Sequence, residues 1–269
     1  MTAASEIAPA KLNLALHVRG RPPDGRHSIE TIFAFCTDGD WLTVERADGI
    51  SLQVTGPFAN ELSAEEDNLV LKAAHSLADA AGVSEGAALV LDKRLPVASG
   101  LGGGSADAAA ALRLLTSLWR IDPKFAQDVA PTLGSDVPAC LLSLPARGEG
   151  AGDRLTPIAL PEVSGAPVLL VNPRVQLSTA EVFAGWDGED KGPLGDWREG
   201  RNDLEQPAIA LAPQVEAVLA WLGTRPGATF VRMSGSGATC FALFEDETAR
   251  DRAGMAVPRE WWHLTTYLR

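Results

Sequence analysis

The stretch from Pro96 to Ala111 carries four glycines within five positions, followed by a run of alanines. A strand is predicted just upstream, at 88–91, and the alanines predict a helix, so the glycines occupy a strand-to-helix loop. Glycine lets the backbone come close to a ligand, and the first turn of a helix presents unpaired N–H groups at the positive end of its dipole. The stretch therefore predicts an anion site, with phosphate as the usual anion. Taken alone, the glycines fit a tight turn without a ligand about equally well.

Two common phosphate-binding patterns do not fit this loop. A P-loop requires a lysine directly after its last glycine, and the residue that follows Gly104 is Ser105. A dinucleotide-binding fingerprint requires a third glycine at a position that Ser105 or Asp107 occupies here. The loop is therefore either a different kind of phosphate site or a plain turn.

Lys11 and Asn13 stand on a strand predicted over 7–18, on the face opposite its leucines. A lysine inside a sheet is costly to bury without a partner, so its presence beside an asparagine needs a reason. An edge strand with a solvated lysine is the simpler interpretation, and a functional lysine is the alternative.

Asp136 is a lone carboxylate among small and apolar residues, directly after Gly134 and Ser135. The residues alone favour a helix N-cap, since such a sequence before an apolar run usually begins a helix. A general base is the alternative, and the two roles require different side-chain directions.

The composition is that of a globular protein, with 269 residues of which 46% are hydrophobic and 22% charged. The 23 basic and 35 acidic residues give a net charge of −12, which argues against nucleic acid or an anionic membrane as the main partner. The three cysteines and four histidines show no metal-binding spacing, and the N-terminus shows no targeting pattern. We expect a cytoplasmic protein that binds neither nucleic acid nor membrane. An acidic surface still leaves room for a local cationic pocket and an anionic small substrate.

Two domains are predicted, over residues 1–152 and 153–269, because Glu149–Asp153 is a flexible, glycine-containing stretch. In the second domain the predicted order of strand, helix, strand, strand, helix and strand is that of a ferredoxin-like split βαβ fold. Its turn from Ser234 to Ala238 is longer and richer in glycine than a hairpin requires. The predicted fold class is α+β.

Three motifs occur in order along the chain, at Ala10–Leu14, Pro96–Ala109 and Met233–Thr239. With them the sequence resembles the GHMP kinase superfamily over its whole length. The resemblance implies a two-domain GHMP kinase fold, with an α/β N-terminal domain like ribosomal protein S5 domain 2 and a ferredoxin-like C-terminal domain. It also implies ATP and Mg²⁺ as cofactors.

The resemblance further implies a role for each motif. Asp136 becomes the base for a substrate hydroxyl, and Lys11 becomes its cationic partner beside the transferring phosphoryl group. Ser105 helps to place the phosphates and Mg²⁺, while Asp107 is interpreted as a helix cap or dipole partner. The residues implied to bind the nucleotide are Pro96, Ser99, Gly100, Leu101, Gly102, Gly103, Gly104 and Ser105.

Closer markers at 23–27, 133–138 and 202–205 resemble those GHMP kinases of non-mevalonate isoprenoid synthesis that phosphorylate a cytidine diphosphate-linked polyol. In these kinases a tyrosine usually stacks on the cytosine at the position that Arg26 holds here. A guanidinium can also stack on a base, so we expect the role in altered form. The residues implied to bind the substrate are Asn13, Arg26, His27, Phe183, Gly235 and Gly237.

Two alternatives stay open on the sequence. The first is another small-molecule GHMP kinase, of the homoserine or mevalonate type, and the second is a non-catalytic nucleotide-binding protein. The presence of both Lys11 and Asp136 argues against the second, because a sensor would need neither. A monomer or weak homodimer is expected.

Overall fold

The structure, a computed structural model, describes residues 3–22, 25–62 and 67–269. Its strands are β1 (Ala4–Gly20), β2 (Ser28–Ala47), β3 (Ile50–Thr55), β4 (Gly86–Asp92), β5 (Ala146–Gly150), β6 (Arg154–Pro157), β7 (Pro167–Asn172), β8 (Ala228–Met233), β9 (Cys240–Phe244) and β10 (Trp262–Tyr267). Its helices are α1 (Leu69–Ala81), α2 (Gly103–Trp119), α3 (Pro123–Leu133), α4 (Val137–Leu142), α5 (Thr179–Ala184), α6 (Glu205–Leu211), α7 (Gln214–Gly223) and α8 (Glu247–Met255). In these described ranges, no helix combines the length and apolar character needed to cross a bilayer.

The chain folds into two compact units that are each built from separate segments. The first unit consists of 1–10, 38–97 and 102–143, and the second of 11–37, 98–101 and 144–269. Strands β1 and β2 both run from one unit into the other, and the glycine loop contributes 98–101 to the second unit. The domain boundary predicted between residues 152 and 153 stays a prediction.

The first unit positions the end of the glycine loop. The second half of β2 pairs with β4 in antiparallel register, from Trp41 opposite Asp92 to Ala47 opposite Gly86, and β4 pairs in parallel with β3. Helix α2 packs against α1, α3 and α4 and carries a run of fully buried alanines, Ala108–Ala111. Because alanine side chains are small, neighbouring helices can approach α2 closely and hold it in place.

The second unit contains a four-stranded antiparallel sheet with strand order β10-β7-β9-β8. With the helices between β7 and β8 and α8 between β9 and β10, this is the ferredoxin-like arrangement predicted from the sequence. A buried apolar cluster lies between this sheet and its helices, and includes Leu169, Val171, Val218 and Leu222.

The sequence pattern predicts separate short strands at 29–35 and 41–45, and this prediction was wrong, because both segments belong to the single strand β2. The stretch Glu149–Asp153 closes a β-hairpin between β5 and β6. Gly150 and Gly152 adopt positive φ angles of 71° and 93°, so the glycines serve a tight turn there.

Candidate active site

Lys11 is buried in the second unit, with 3% of its surface exposed. Its Nζ donates a hydrogen bond to Asn13 Oδ1 at 2.8 Å and lies 5.3 Å from the centre of the Phe33 ring. Asn13 Nδ2 in turn donates to Thr31 Oγ1 at 2.8 Å, which fixes the direction of the amide. The interpretation of Lys11 as a solvated edge-strand lysine is therefore wrong.

The middle of the glycine loop is held by backbone bonds within the second unit. Lys11 N donates to Leu101 O at 2.9 Å, and Thr239 N donates to Ser99 O at 3.0 Å. Gly100 has φ +79°, and a Cβ there would lie 2.4 Å from the backbone oxygen of Ser234. Only glycine fits such a close approach of two backbones.

Ser234 links the loop to strand β1. Its Oγ donates to Gly100 O at 3.0 Å and accepts a hydrogen bond from Asn13 N at 3.2 Å. The structure therefore brings together, within one unit, residues from all three sequence motifs.

Asn202 supports the glycine turn that follows β8. Its Nδ2 donates to Met233 O at 2.9 Å and to Gly235 O at 2.8 Å. A Cβ on Gly235 would lie 3.2 Å from Asn13 Oδ1, and one on Gly237 would lie 2.8 Å from Met233 Sδ. Asn202, the first residue of the sequence marker at 202–205, therefore stabilises the glycine turn beside Asn13.

Helix α2 begins in the first unit without a side-chain cap. Gly102 occupies the N-cap with φ 63° and makes no capping hydrogen bond, whereas Asn68 caps α1 and Asp122 caps α3. The first turn of α2, which holds Gly103, Gly104 and Ser105, carries no acidic residue. An uncapped helix start leaves N–H groups available for an anion.

Asp107 does not cap α2, so the cap predicted for it was wrong. It lies in the second turn, 1% exposed, and its Oδ2 accepts a hydrogen bond from Lys93 Nζ at 2.8 Å. Asp40 Oδ2 accepts from the same Nζ at 2.5 Å. Sequence reasoning missed Lys93 and Asp40, because a lysine between Asp92 and Arg94 has the pattern of a surface residue.

Asp136 stands at the N-cap of α4 in the first unit, but its side chain makes no capping hydrogen bond. Its backbone is αR, with φ −85° and ψ −15°, whereas a residue that caps with its side chain usually has an extended backbone. The cap role that the residues alone favoured is therefore wrong. The expected pairing of Asp136 with Lys11 stays a prediction.

An aromatic cluster in the second unit joins two of the residues implied to bind substrate. The rings of His27 and Phe183 stack with centroids 4.8 Å apart, and Trp186 meets His27 edge-on at 5.8 Å. Burial, reinforced by the charge of Arg21, lowers the pKa of His27. Arg26 is exposed, and residues 23 and 24 of the predicted substrate loop lie outside the described residues.

Trp186 was missed by sequence reasoning. Its Nε1 is buried and has no hydrogen-bond partner in the parts of the chain that the structure describes. A buried indole N–H usually finds an acceptor, so this unpaired donor is unusual. The only sequence signal was its position three residues after Phe183.

The residues of this site fit a Mg²⁺ ion that is bound mainly through the phosphates of a ligand. Across the described ranges, no cluster of three His, Cys, Asp or Glu side chains could hold a metal ion. Mg²⁺ commonly binds through substrate phosphates, water and few protein oxygens, and a hydroxyl such as that of Ser105 in the first turn of α2 is an oxygen donor of this kind.

Comparisons with known proteins identify the same family in both the N-terminal and the C-terminal parts of the chain. Residues 68–143 match the family model for the GHMP kinases N terminal domain, and residues 189–263 match that for GHMP kinases C terminal. A 4-diphosphocytidyl-2-C-methyl-D-erythritol kinase from Rhizorhabdus wittichii is 53% identical, over 98% of this chain and 94% of the relative. A kinase of the same name from Hyphomonas neptunium is 47% identical, over 97% and 95%.

Two solved structures that are similar to this chain are also kinases. A crystal structure of 4-(cytidine 5'-diphospho)-2C-methyl-D-erythritol kinase superposes with a TM-score of 0.85 at 34% identity, covering 98% of this chain and 99% of that one. A homoserine kinase from Cytophaga hutchinsonii superposes with a TM-score of 0.74 at 16% identity, covering 100% and 95%. The second likeness shows the fold alone.

Proposed function

The chain belongs to the GHMP kinase family, and on that premise we propose that it transfers the γ-phosphoryl group of ATP to the 2-hydroxyl of 4-diphosphocytidyl-2-C-methyl-D-erythritol. The product would serve non-mevalonate isoprenoid precursor synthesis. The observation that carries the proposal is the buried Lys11–Asn13 pair, tied through Ser234 to the glycine loop. A buried cation beside a loop with the features of a phosphate site is suited to phosphoryl transfer.

The glycine loop and the start of α2 would hold the ATP phosphates. The uncapped first turn supplies backbone N–H groups and the positive end of the dipole of a 17-residue helix. Mg²⁺, held by the phosphates with the hydroxyl of Ser105, would neutralise charge on the transferring group. Phosphoryl transfer depends mainly on alignment and charge stabilisation, which these groups provide.

Asp136 would act as the base and Lys11 as the cation at the reacting group. The substrate oxygen forms a bond to the γ-phosphorus, the bond from that phosphorus to ADP breaks, and the hydroxyl proton passes to the Asp136 carboxylate. The position of Asp136 at the start of α4, without a side-chain capping bond there, is compatible with this role. A general base adds about 10²–10⁴-fold, so most of the acceleration must come from positioning and charge.

The cytidine group would bind at the aromatic cluster of His27, Phe183 and Trp186. Aromatic faces stack on bases, and the unpaired indole N–H of Trp186 can donate to the ring or the ribose. Because the pKa of His27 is lowered, its ring is neutral at pH 7 and offers both a donor and an acceptor. In this proposal the cluster would supply the stacking that the tyrosine replaced by Arg26 provides in related kinases.

A coupled assay of ADP release tests the proposal, with the cytidyl substrate, homoserine and mevalonate compared side by side. We expect turnover with the cytidyl substrate alone. Turnover with either simpler alcohol instead would favour another kinase of the family, and folded protein that binds ATP without any turnover would favour a nucleotide-binding protein. A cytoplasmic location and a monomeric or weakly dimeric state stay predictions from the sequence.

A further inference from the structure

A pocket of about 600 Å³ opens in the first unit, at the end of α2 that is farthest from the glycine loop. Sites that hold small molecules usually have volumes of about 300–1,000 Å³. One wall is formed by the second half of α2 and its C-cap, and the other walls by α3 and the last turn of α4. A helix rises about 1.5 Å per residue, so Arg113 and Arg120 lie about 15 and 25 Å from Gly103 along its axis. The pocket is therefore separate from the proposed phosphate site.

The side chains that α2 and its C-cap contribute to the pocket form one stripe. They follow the spacing i, i+3, i+4 and i+7, which places them on one face of a helix: Arg113, Thr116, Ser117 and Arg120. Two of these four side chains are cationic, and none of the described residues that line the pocket is acidic. Asp122, beside the pocket at the N-cap of α3, already accepts a hydrogen bond from Lys124 N at 2.9 Å. Because the whole chain carries a net charge of −12, a cationic hollow is not what its composition predicts, and such a hollow favours an anionic ligand.

Arg113, whose side chain is 25% exposed, is held by three hydrogen bonds but is not fully paired. Its Nε donates to Glu6 Oε1 at 2.5 Å, and its Nη1 donates to Cys140 O at 2.8 Å and to Leu141 O at 3.2 Å. Its Nη2 is buried and has no hydrogen-bond partner in the parts of the chain that the structure describes. A buried charged donor without an acceptor is costly, and the planar fork of a guanidinium fits a carboxylate or a phosphate. Arg113 therefore lacks an acceptor of the kind that an anionic ligand would supply.

Apolar side chains form the inner surface of the pocket. Ala126 is buried, and Ile121 and Leu141 are half-buried. Ser117 and Arg120 are exposed and belong to the rim. Covering an apolar surface is favourable, so a ligand that fits both parts of the pocket has an anionic group and a short apolar body.

We propose that this pocket is a second small-molecule site, which takes an amphipathic anion: a carboxylate or phosphate group on a short apolar body. The anionic group pairs with Arg113 and Arg120, and the apolar body packs against Ile121, Ala126 and Leu141. The pocket shares no residue with the proposed nucleotide and cytidine sites. It can therefore be occupied whether or not the chain carries out the proposed reaction.

Calorimetry with four probes tests the class of ligand. The protein is first saturated with MgADP, so that the glycine loop is occupied, and is then titrated with hexyl phosphate, hexanoate, inorganic phosphate or hexan-1-ol. We expect a Kd at or below about 1 mM for hexyl phosphate or hexanoate, an affinity that a ligand of about ten non-hydrogen atoms can reach. Inorganic phosphate and hexan-1-ol should bind at least about tenfold more weakly, since the first lacks the apolar body and the second lacks the charge.

Variants of exposed residues locate the site without disturbing the fold. Arg120→Gln should weaken binding of the tighter anionic probe about tenfold, through the loss of a charge-assisted hydrogen bond. Ser117→Trp fills the pocket and should abolish measurable binding. Arg252→Gln should bind the probe like the wild type and is the matched control, because Arg252 is also an exposed arginine in the last turn of a helix, α8 in the second unit. All three variants should keep the Tm and the MgADP affinity of the wild type.

The tighter of the two anionic probes identifies whether the arginines select a phosphate or a carboxylate. Failure of both anionic probes to bind, equal binding of hexyl phosphate and inorganic phosphate, or wild-type affinity in Arg120→Gln or Ser117→Trp would each overturn the proposal. Binding of an anionic probe that depends on Arg120, in a chain that does not bind MgADP, would support this site and refute the proposed nucleotide function.

Discussion

Replacing Gly100 by alanine tests whether the close contact between loop and turn sets the nucleotide site. The backbone at Gly100 has φ +79°, which costs an L-residue about 1–2 kcal/mol. The added Cβ would also lie 2.4 Å from Ser234 O and 2.8 Å from Gly237 O. Both neighbours are backbone atoms, so the loop or the turn must move, at a further cost of about 1–3 kcal/mol. We expect Gly100→Ala to lower the free energy of unfolding by about 2–5 kcal/mol.

Gly165 provides a matched control for the backbone strain. Its φ is +76°, and a Cβ there would meet no atom of the described residues within 4 Å. Gly165→Ala therefore carries the strain of a positive φ, about 1–2 kcal/mol, without the steric clash. The difference between the two variants isolates the contribution of the loop-to-turn contact.

Thermal unfolding and ATP kinetics together decide the outcome. For a protein of this size each kcal/mol lowers Tm by about 2–4 °C, so Gly100→Ala should lie several degrees below Gly165→Ala. Because the displaced segment is part of the proposed phosphate loop, the KM for ATP should rise about tenfold or more in Gly100→Ala and stay normal in Gly165→Ala. Equal Tm values and equal KM values in the two variants would refute the reasoning.

Two further predictions concern the chemistry and the substrate. Asp136→Asn should lower kcat about 10²–10⁴-fold and leave the KM for ATP within threefold, since the amide cannot take the proton; full turnover in this variant would rule out Asp136 as the base. Phe183→Ala should raise the KM for the cytidyl substrate about tenfold, from about 1–3 kcal/mol of lost base stacking, without changing the KM for ATP. An equal rise in both KM values would point to a general loss of structure instead.

Much of the fold could be predicted from patterns that act locally. Asn68 and Gly82 bracket an apolar repeat, and α1 begins and ends at those residues because a side-chain cap and a left-handed glycine satisfy its terminal backbone groups. The ferredoxin-like order of elements could also be predicted, because each strand and helix in it has a local sequence pattern. The hairpin at Glu149–Asp153 was not, because turn glycines in a hairpin and glycines in a linker look alike in sequence.

The candidate site shows the same contrast between local patterns, which could be predicted, and long-range contacts, which could not. Glycines and motifs predicted where a phosphate loop would lie, but the burial of Lys93 depends on Asp40, 53 positions earlier in the chain, and on Asp107, 14 positions later. Such pairing over a distance leaves no periodic signal. The residues alone favoured a cap at Asp136 for a related reason, because the αR backbone that disfavours side-chain capping is a property of the folded chain.

A side chain has room at Gly104, whereas one at Gly100 or Gly103 would crowd a neighbouring atom. A substitution at Gly104 can therefore test nucleotide binding without disturbing the fold. Among the described residues, a Cβ on Gly104 would meet only Leu69 Cδ1, at an ordinary 3.5 Å. Alanine is a better helix former than glycine by about 0.5–1 kcal/mol, so Gly104→Ala should keep or slightly raise Tm. Gly223 lies at the end of α7, and a Cβ there would have no atom of the described chain within 4 Å, so it offers a matched control in another helix. If phosphates approach the backbone at Gly104, only Gly104→Ala should raise the KM for ATP; a normal KM would mean that this glycine serves neither packing nor the nucleotide.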